Sequence, residues 1–284
     1  MRPAWPRVRP LKVLTSRGHQ PRKRFGQHFL HDAHVIARII DAVNPSADDH
    51  IVEIGPGRGV LTAPLVESPA RISAIEIDRD LAALLRERFS ASELHLIERD
   101  ILRVDLAAEL SADERVRIVG NLPYNISTPL IFHLFKFAPR IIDMHIMVQK
   151  EVADRMAAPA GIRDYGRLSV MTAVDVTVTR LFDVAPDSFR PPPKVQSSVL
   201  RLLPRAEPLV APANRPVFAE LVQMCFSQRR KMLRRTLGKW LSDDVIRACG
   251  LEPDMRPELV PVEAFIALAR ALQDARKLTH STCG

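Results

Sequence analysis

The sequence has few of the residues and segments that define several common classes of protein. Its three cysteines are scattered, with no C-x-x-C pair, which argues against a disulfide framework and against a structural zinc site. No run of about 18 apolar residues is present, so no membrane span is expected. The basic N-terminus is not followed by the apolar stretch of a secretory signal. We therefore expect a globular cytoplasmic protein with no metal site and no membrane partner.

Acidic residues are absent from residues 1–24, which contain eight Lys or Arg residues. That number equals the formal net charge of +8, so the other 260 residues balance, with 33 basic and 33 acidic side chains. The excess positive charge thus belongs to a tail. We expect residues 1–24 to form a disordered arm with affinity for polyanions. A transit peptide and a start codon assigned too early are the alternatives.

Apolar runs typical of strands alternate with helical patterns through the first half of the chain, beginning with a helix from Asp32 to Val43. This alternation predicts an α/β fold with a parallel sheet and right-handed crossovers. Further strands are expected within residues 168–178 and 199–203. After Pro204 the pattern is helical, without a convincing strand. We therefore expect a main domain over residues 25–205 and a small all-α domain over residues 206–284.

A glycine-rich loop, Glu53-Ile-Gly-Pro-Gly-Arg-Gly59, follows an early predicted strand and carries three of the chain's 11 glycines. Glycine lets the backbone turn sharply and approach a ligand closely. Glu76 stands about 20 residues beyond the loop, where a carboxylate grips ribose hydroxyls in nucleotide-binding βαβ units. The Gly-Lys-Ser/Thr ending of a P-loop is missing, which argues against a triphosphate ligand.

Two more strand ends carry polar groups. Asp100 follows the third strand and could accept a hydrogen bond from an amino group such as that of adenine; a helix cap is the alternative. Residues 120–128, which we name the acceptor turn, follow the fourth strand. There Asn121, the Pro123 carbonyl and the Tyr124 ring are the groups needed to hold a flat nitrogen heterocycle by its edge and face. The alternative is an ordinary loop.

Two later stretches also stand out. Pro191, Pro192 and Pro193 predict a rigid extended loop; it would either hold Phe189 out from the scaffold or place it as a core side chain. Residues 221–242 carry six basic residues and no acid. We name these six side chains the basic ridge, and expect contact with a phosphate backbone rather than a merely solvated helix face. Its members are Arg229, Arg230, Lys231, Arg234, Arg235 and Lys239.

A nucleoside-type cofactor site, a heterocycle clamp and a basic helical domain together indicate chemistry on a nucleic-acid base held away from its stack. The absence of a His/Cys zinc signature argues against a deaminase.

Eight motifs, in order and at matching spacing over about residues 22–272, resemble those of the ribosomal RNA adenine dimethyltransferase family, and most closely its bacterial small-subunit branch. They are Phe25-Gly-Gln-His-Phe-Leu30, Glu53-Ile-Gly-Pro-Gly-Arg-Gly59, Glu76-Ile-Asp78, Gly120-Asn-Leu-Pro-Tyr-Asn-Ile-Ser-Thr128, Gln149-Lys-Glu-Val152, Tyr165-Gly-Arg-Leu-Ser169, Phe189-Arg-Pro-Pro-Pro-Lys-Val195 and Gln228-Arg-Arg-Lys231.

The resemblance implies a Rossmann-like class I methyltransferase fold, S-adenosyl-L-methionine as cofactor, and 16S rRNA, within the small ribosomal subunit or its precursor, as the partner of a monomeric enzyme. It implies N6,N6-dimethylation of two adjacent adenines. The implied cofactor-binding residues are His28, Leu30, Gly55, Gly57, Glu76, Asp100, Ile101 and Asn121. In the family an asparagine usually stands where this chain has His28, which puts that one contact in doubt.

The catalytic residues implied by the resemblance are Asn121 and Pro123, which would accept the N6 hydrogens, and Tyr124 and Phe189, which would stack on the flipped base. The residues expected to bind RNA are Arg229, Arg230, Lys231, Arg234 and Arg235. The alternatives are a 23S rRNA methyltransferase of the antibiotic-resistance type, and a non-enzymatic assembly factor or mitochondrial transcription-factor relative. The intact acceptor turn argues against lost activity.

Overall fold

The computed structural model describes the backbone of residues 27–281 and the side chains of residues 27–277. The predicted N-terminal arm and Cys283 lie outside the described residues. The chain forms two compact units. The first contains the residues up to Lys150 together with Arg180–Leu202, and the second contains Glu151–Thr179 and the residues from Leu203 onward. Segment 151–179 thus groups with the C-terminal helices; the domain division near residue 205 stays a prediction.

Nine strands lie within the described residues. In chain order they are β1 Phe29–Leu30, β2 His50–Ile54, β3 Arg71–Glu76, β4 His95–Glu98, β5 Val116–Asn121, β6 Ile141–Gln149, β7 Val176–Val184, β8 Phe189–Arg190 and β9 Ser197–Pro204. Seven of them form one sheet in the order β4-β3-β2-β5-β6-β9-β7, and β1 pairs with β8 separately. The pairs from β4 to β6 are parallel, and β9 runs antiparallel to β6. The predicted α/β fold with a parallel sheet is therefore confirmed.

The described helices are α1 Ala33–Val43, α2 Thr62–Val66, α3 Arg79–Arg88, α4 Ser127–Phe135, α5 Lys150–Ala157, α6 Arg167–Ala173, α7 Arg215–Ser227, α8 Leu233–Leu237, α9 Asp243–Ala248 and α10 Val262–Ser281. The first helix begins directly after Asp32. The Asp32 side chain caps it by accepting from the backbone N–H groups of His34 and Val35. It ends at Asn44, whose φ of 47° is left-handed. None of the described helices combines the length and apolar character needed to cross a membrane.

The first unit has an apolar core on its sheet. Ile51 and Leu65 are fully buried there, together with Leu30 of β1 and Phe189 of β8. Strands β2 and β3 are buried along almost their whole length, as expected of central parallel strands that are covered on both faces. These two strands are therefore part of the buried core of the first unit.

The second unit has its own core, in which Phe218, Phe265 and Leu268 of the long helices are fully buried. The Tyr165 hydroxyl donates to the Val260 carbonyl at 2.8 Å and ties the segment before α6 into this core. Within the described residues no strand follows β9, as the sequence predicts.

The strand predicted within residues 168–178 is wrong in its first half. Residues 167–173 form α6, and only the residues from Val176 onward form β7. The Ser169 hydroxyl accepts from the Gly166 N–H at 3.0 Å, which caps the start of the helix. The periodicity of a short apolar run does not distinguish a buried helix from a buried strand, so the apolar residues of this segment fit either structure.

Candidate functional site

A cavity of about 280 Å³ lies at the carboxyl ends of β2, β3, β4 and β5. This is where ligands bind in open α/β sheets. Each of these strands contributes residues that follow its end: the glycine loop, the Glu76 segment, the Asp100 segment and the acceptor turn. Residues 27–30 line it as well. The structure thus brings together every predicted cofactor-binding residue.

The glycine loop needs its glycines for conformation. Gly55 and Gly57 have φ values of +66° and +58°, in the left-handed region that other residues rarely adopt. A Cβ on Gly55 would point into open space, since no heavy atom lies within 4 Å of that position. The loop therefore presents bare backbone to the cavity, and a ligand can approach it closely.

Glu76 is held at the end of β3 by backbone N–H groups. Its Oε2 accepts from the Gly57 N–H at 3.1 Å and its Oε1 accepts from the Asp78 N–H at 2.9 Å. Only 4% of the residue is exposed. Burial raises the pKa of Glu76, against the lowering effect of these hydrogen bonds and of a third from the Ile77 N–H. A carboxylate has about four acceptor positions, so it can still accept from a hydroxyl of a ligand in the cavity.

Asp100 has two roles. Its Oδ1 accepts from the Leu102 N–H at 3.0 Å and caps the short 3₁₀ turn that follows, as the alternative interpretation expected. The residue also lines the cavity. Its Oδ2 lies 3.9 Å from the Arg103 Nε, a long ion pair, so the contact with an adenine amino group stays a prediction for this oxygen. Ile101 is 7% exposed and lines the cavity beside it.

The acceptor turn leaves β5 at a point of very close packing. A Cβ on Gly120 would lie 2.7 Å from the Ile54 carbonyl oxygen, so only glycine fits there. The Asn121 Nδ2 donates to the His28 carbonyl at 3.1 Å, which leaves the side-chain oxygen for another donor. The Pro123 carbonyl already accepts from the Ile126 N–H at 3.1 Å, but its second lone pair is unused by that bond.

Tyr124 is half-buried, and it has contacts on one face of its ring and at its hydroxyl group. The imidazole of His28 stacks on it with ring centroids 5.4 Å apart and planes 26° apart. Its hydroxyl lies 2.5 Å from the Ser197 hydroxyl. Burial raises the pKa of Tyr124, so the hydroxyl stays protonated at neutral pH. The ring is therefore suited to packing against a flat ligand rather than to acting as an acid or a base.

Phe189 does not line the cavity. Strand β8 pairs with β1, with Leu30 opposite Phe189, and the Phe189 side chain is 1% exposed in the core of the first unit. This arrangement agrees with the alternative interpretation of Phe189 as a core side chain. Stacking on a base would require the ring to leave that core.

Glu53 and Ile77 are among the cavity residues that received no role from the sequence. Glu53 is 2% exposed, accepts from the Thr62 hydroxyl at 2.6 Å, and lines the cavity. Burial raises the pKa of Glu53 to about 8. Ile77 also lines the cavity and is 46% exposed. Ile77 could have been identified from the sequence, because it is an aliphatic residue between two acids, Glu76 and Asp78, at the end of a strand. Among the described residues, no cluster of side chains suits a metal ion.

The basic ridge of the second unit is not uniformly positive. Arg229 pairs with Glu258 at 2.9 Å, and Arg234 with Asp243 at 3.6 Å. Arg230, Lys231 and Arg235 are exposed and have no ion pair within the part of the chain that the structure describes. Residues 228–232 separate α7 from α8, so the ridge follows a turn and a short helix rather than one long helix face.

Comparison with known proteins extends these observations. The sequence model of the family described as Ribosomal RNA adenine dimethylase matches residues 18–274. The Ribosomal RNA small subunit methyltransferase A of Leptothrix cholodnii is 50% identical over 270 residues, covering 94% of this chain and 97% of that protein.

Two solved structures resemble this chain along most of its length. A dimethyladenosine transferase from Plasmodium falciparum has a TM-score of 0.75 at 26% identity, covering 87% of this chain and 98% of that one. The 23S rRNA methyltransferase ErmE has a TM-score of 0.68 at 29% identity, covering 86% of this chain and 99% of that one.

Proposed function

The chain belongs to the ribosomal RNA adenine dimethylase family, and on this basis we propose that it dimethylates N6 of two adjacent adenines in the 3′-terminal hairpin loop of 16S rRNA. The methyl donor is S-adenosylmethionine, and the partner is the small ribosomal subunit or its precursor. The observation that carries the proposal is the acceptor turn at the cavity, with the Asn121 side-chain oxygen and the Pro123 carbonyl both able to accept. We further propose that the protein acts as a monomer in the cytoplasm, where ribosomal RNA lies in bacteria.

The cavity fits S-adenosylmethionine. The bare backbone at Gly55 has room for a closely approaching group, the Glu76 carboxyl is fixed where ribose hydroxyls can donate to it, and Ile77 and Ile101 supply apolar walls for a flat ring. When bound, this cofactor supplies an electrophilic methyl group on a sulfonium. Leu30, which is 2% exposed, closes part of the same cavity and keeps water from it.

The acceptor turn can activate an adenine amino group. The N6 lone pair is delocalised into the ring, so the amine is a poor nucleophile. If Asn121 and Pro123 accept its two hydrogens, they favour a tetrahedral nitrogen and stabilise the positive charge that develops there. The alkylated nitrogen is strongly acidic and releases its proton readily, so no general base is required. Fixing the amine in place therefore provides most of the catalysis.

The identity values favour the small subunit over the large one. The chain is 50% identical to a small-subunit methyltransferase and 29% identical to the 23S rRNA methyltransferase ErmE. The two share a fold, so the fold alone does not separate the substrates. For this reason the proposal rests on sequence identity for the substrate and on the acceptor turn for the chemistry.

Methyl transfer to separated ribosomal subunits tests the proposal. Purified small subunits lacking the modification and purified large subunits are incubated in parallel with labelled S-adenosylmethionine, and the modified nucleotides are mapped. We expect label on two adjacent adenines near the 3′ end of 16S rRNA. Label only on large-subunit RNA, or on a single adenine elsewhere, would overturn the proposal. Light scattering of the purified protein checks the monomer.

A further inference from the structure

His28 contacts three other residues of the first unit. Its main-chain carbonyl accepts from the Asn121 amide at 3.1 Å. Its imidazole stacks on the Tyr124 ring at 5.4 Å, and its Nδ1 lies 2.8 Å from the Pro191 carbonyl oxygen. The first two partners belong to the acceptor turn and the third to the proline loop. His28 thus contacts Asn121 and Tyr124, two of the three residues of the acceptor turn that the proposed reaction uses.

The hydrogen bond to the proline loop settles how the imidazole is held. A carbonyl oxygen can only accept, so the proton must be on the Nδ1 of His28. The ring is then anchored along one edge by Pro191 while its face lies against Tyr124. The two rings are at the separation and near-parallel tilt of an offset stack, so each restricts the other's rotation.

The segment that carries His28 is itself fastened to the scaffold. Strand β1 pairs with β8, and the His31 N–H donates to the Ser188 carbonyl at 3.0 Å. The Ser188 hydroxyl donates to the Asp32 carboxylate at 3.0 Å. Leu30 is buried in the core of the same unit. His28 therefore extends from a fixed base and can hold another ring in place.

We propose that His28 is a positioning residue of the adenine site, and this inference rests on the proposed function. Its imidazole holds the Tyr124 ring in the orientation in which that ring stacks on the target adenine. Its main-chain carbonyl holds the Asn121 amide nitrogen, so that the side-chain oxygen is left for the adenine N6. The contact with the cofactor that the resemblance implies for this position stays a prediction, since His28 also lines the cavity.

The proline loop has a corresponding part in this arrangement. The sequence left two alternatives for Phe189, a ring held out from the scaffold or a core side chain, and in the structure Phe189 lies in the core. What the loop does present is the Pro191 carbonyl, which anchors the imidazole. The ring that accompanies Tyr124 is therefore the imidazole of His28, and the usual asparagine of the family would provide no such stack.

Three substitutions separate the contacts, because all of them leave the main-chain carbonyl of residue 28 in place. His28→Phe keeps a ring for stacking but loses the bond to Pro191. His28→Asn keeps an amide donor but loses the ring, and His28→Ala loses both. Single-turnover methyl transfer to small subunits is measured for each, together with cofactor affinity in the absence of RNA and thermal stability.

We expect His28→Ala and His28→Asn to lower the single-turnover rate about 3- to 10-fold, the size expected for losing one aromatic pair. His28→Phe should recover most of this loss. Placing 2-aminopurine at the target position gives a second readout, and its fluorescence should show a less ordered base with the Ala and Asn variants. If the Ala variant does not fold, the comparison of Asn with Phe decides alone.

A double-mutant cycle with Tyr124→Ala identifies the partner of His28. If the imidazole acts through Tyr124, His28→Ala has little further effect once the tyrosine ring is gone. Equal losses in both backgrounds would overturn the proposal, as would a drop in cofactor affinity that accounts for the whole rate loss. A wild-type protein that does not methylate small subunits would instead refute the proposed function itself.

Discussion

Arg229 donates from its Nε to a carboxylate oxygen of Glu258 at 2.9 Å, although 29 residues separate them in sequence. The arginine also donates to the Arg163 carbonyl. Its charge is thus already engaged within the second unit. Arg234 is paired with Asp243 in the same way. The basic ridge therefore contains two kinds of positive charge, those with an acidic partner and those facing solvent.

Neutralising the exposed charges should affect RNA binding most. For Arg230→Ala, Lys231→Ala and Arg235→Ala we expect weaker binding, with the slope of log affinity against log salt reduced by about 1 for each side chain that contacts a phosphate. The paired Arg229→Ala and Arg234→Ala are the matched controls and should change the slope less. The measurement is binding of a 16S hairpin RNA at several salt concentrations. An equal or larger change from the paired arginines would contradict this distinction.

Asn121→Ala should separate catalysis from cofactor binding. We expect methyl transfer to fall by at least about 10²-fold, the size expected for losing one group that stabilises developing charge. Cofactor affinity, measured by calorimetry without RNA, should stay within about tenfold of wild type, because Glu76 and the glycine loop are untouched. Turnover close to that of the wild type would show that Asn121 does not accept from the adenine N6.

Glu53 should make stability depend on pH. Burial raises its pKa in the folded protein to about 8, from the ordinary value of 4.5. Between these values the folded protein binds a proton that the unfolded chain releases, so stability falls as pH rises, and the fall ends above the folded pKa. In the cofactor-free protein this group contributes a slope of up to about 1.4 kcal/mol per pH unit.

Glu53→Gln is neutral at every pH and should flatten that dependence. The free energy of unfolding in urea is measured for both proteins between about pH 5 and pH 8. The exposed Glu87→Gln is the control and should follow the wild type. A slope in Glu53→Gln equal to that of the wild type would mean that the carboxyl is already ionised in the folded protein.

Phe189 should behave first as a core residue. Because its side chain is 1% exposed, Phe189→Ala should lower the free energy of unfolding by about 3–5 kcal/mol. Phe189→Leu retains most of the buried volume and should cost less than about 1.5 kcal/mol. Urea denaturation measures both. If Phe189→Leu is stable but transfers methyl groups as poorly as Phe189→Ala, the ring stacks on the base during the reaction.

The parts of the fold that the sequence predicted well are those that depend on neighbours along the chain. The cap at Asp32, the glycine loop after β2 and the acid at the end of β3 are all local patterns. They placed the cavity correctly, because the carboxyl ends of parallel strands meet at one edge of a sheet. The prediction for residues 168–178 was wrong in its first half, because a short apolar run does not carry enough periodicity to distinguish a helix from a strand.

The contacts that sequence reasoning missed all join distant segments. Nothing near His28 indicates that its ring meets Tyr124, and nothing near Arg229 indicates Glu258. The prolines beside Phe189 left open whether its ring is held out or buried, and the pairing of β8 with β1 places it in the core. The absence of acids within residues 221–242 also did not show that two charges of the basic ridge are paired, because their acidic partners, Glu258 and Asp243, lie outside that segment.

By itself the sequence determined the family, the α/β class and the strand ends that form the cavity, because spacing along a strand and its loop carries that information. Only the tertiary structure decided which of those side chains remain available. The Asn121 amide nitrogen, one lone pair of Pro123 and one oxygen of Asp100 are engaged by groups of the protein itself. A hydrogen bond uses a donor or a lone pair once, so what each residue can offer a ligand depends on partners that folding brings to it.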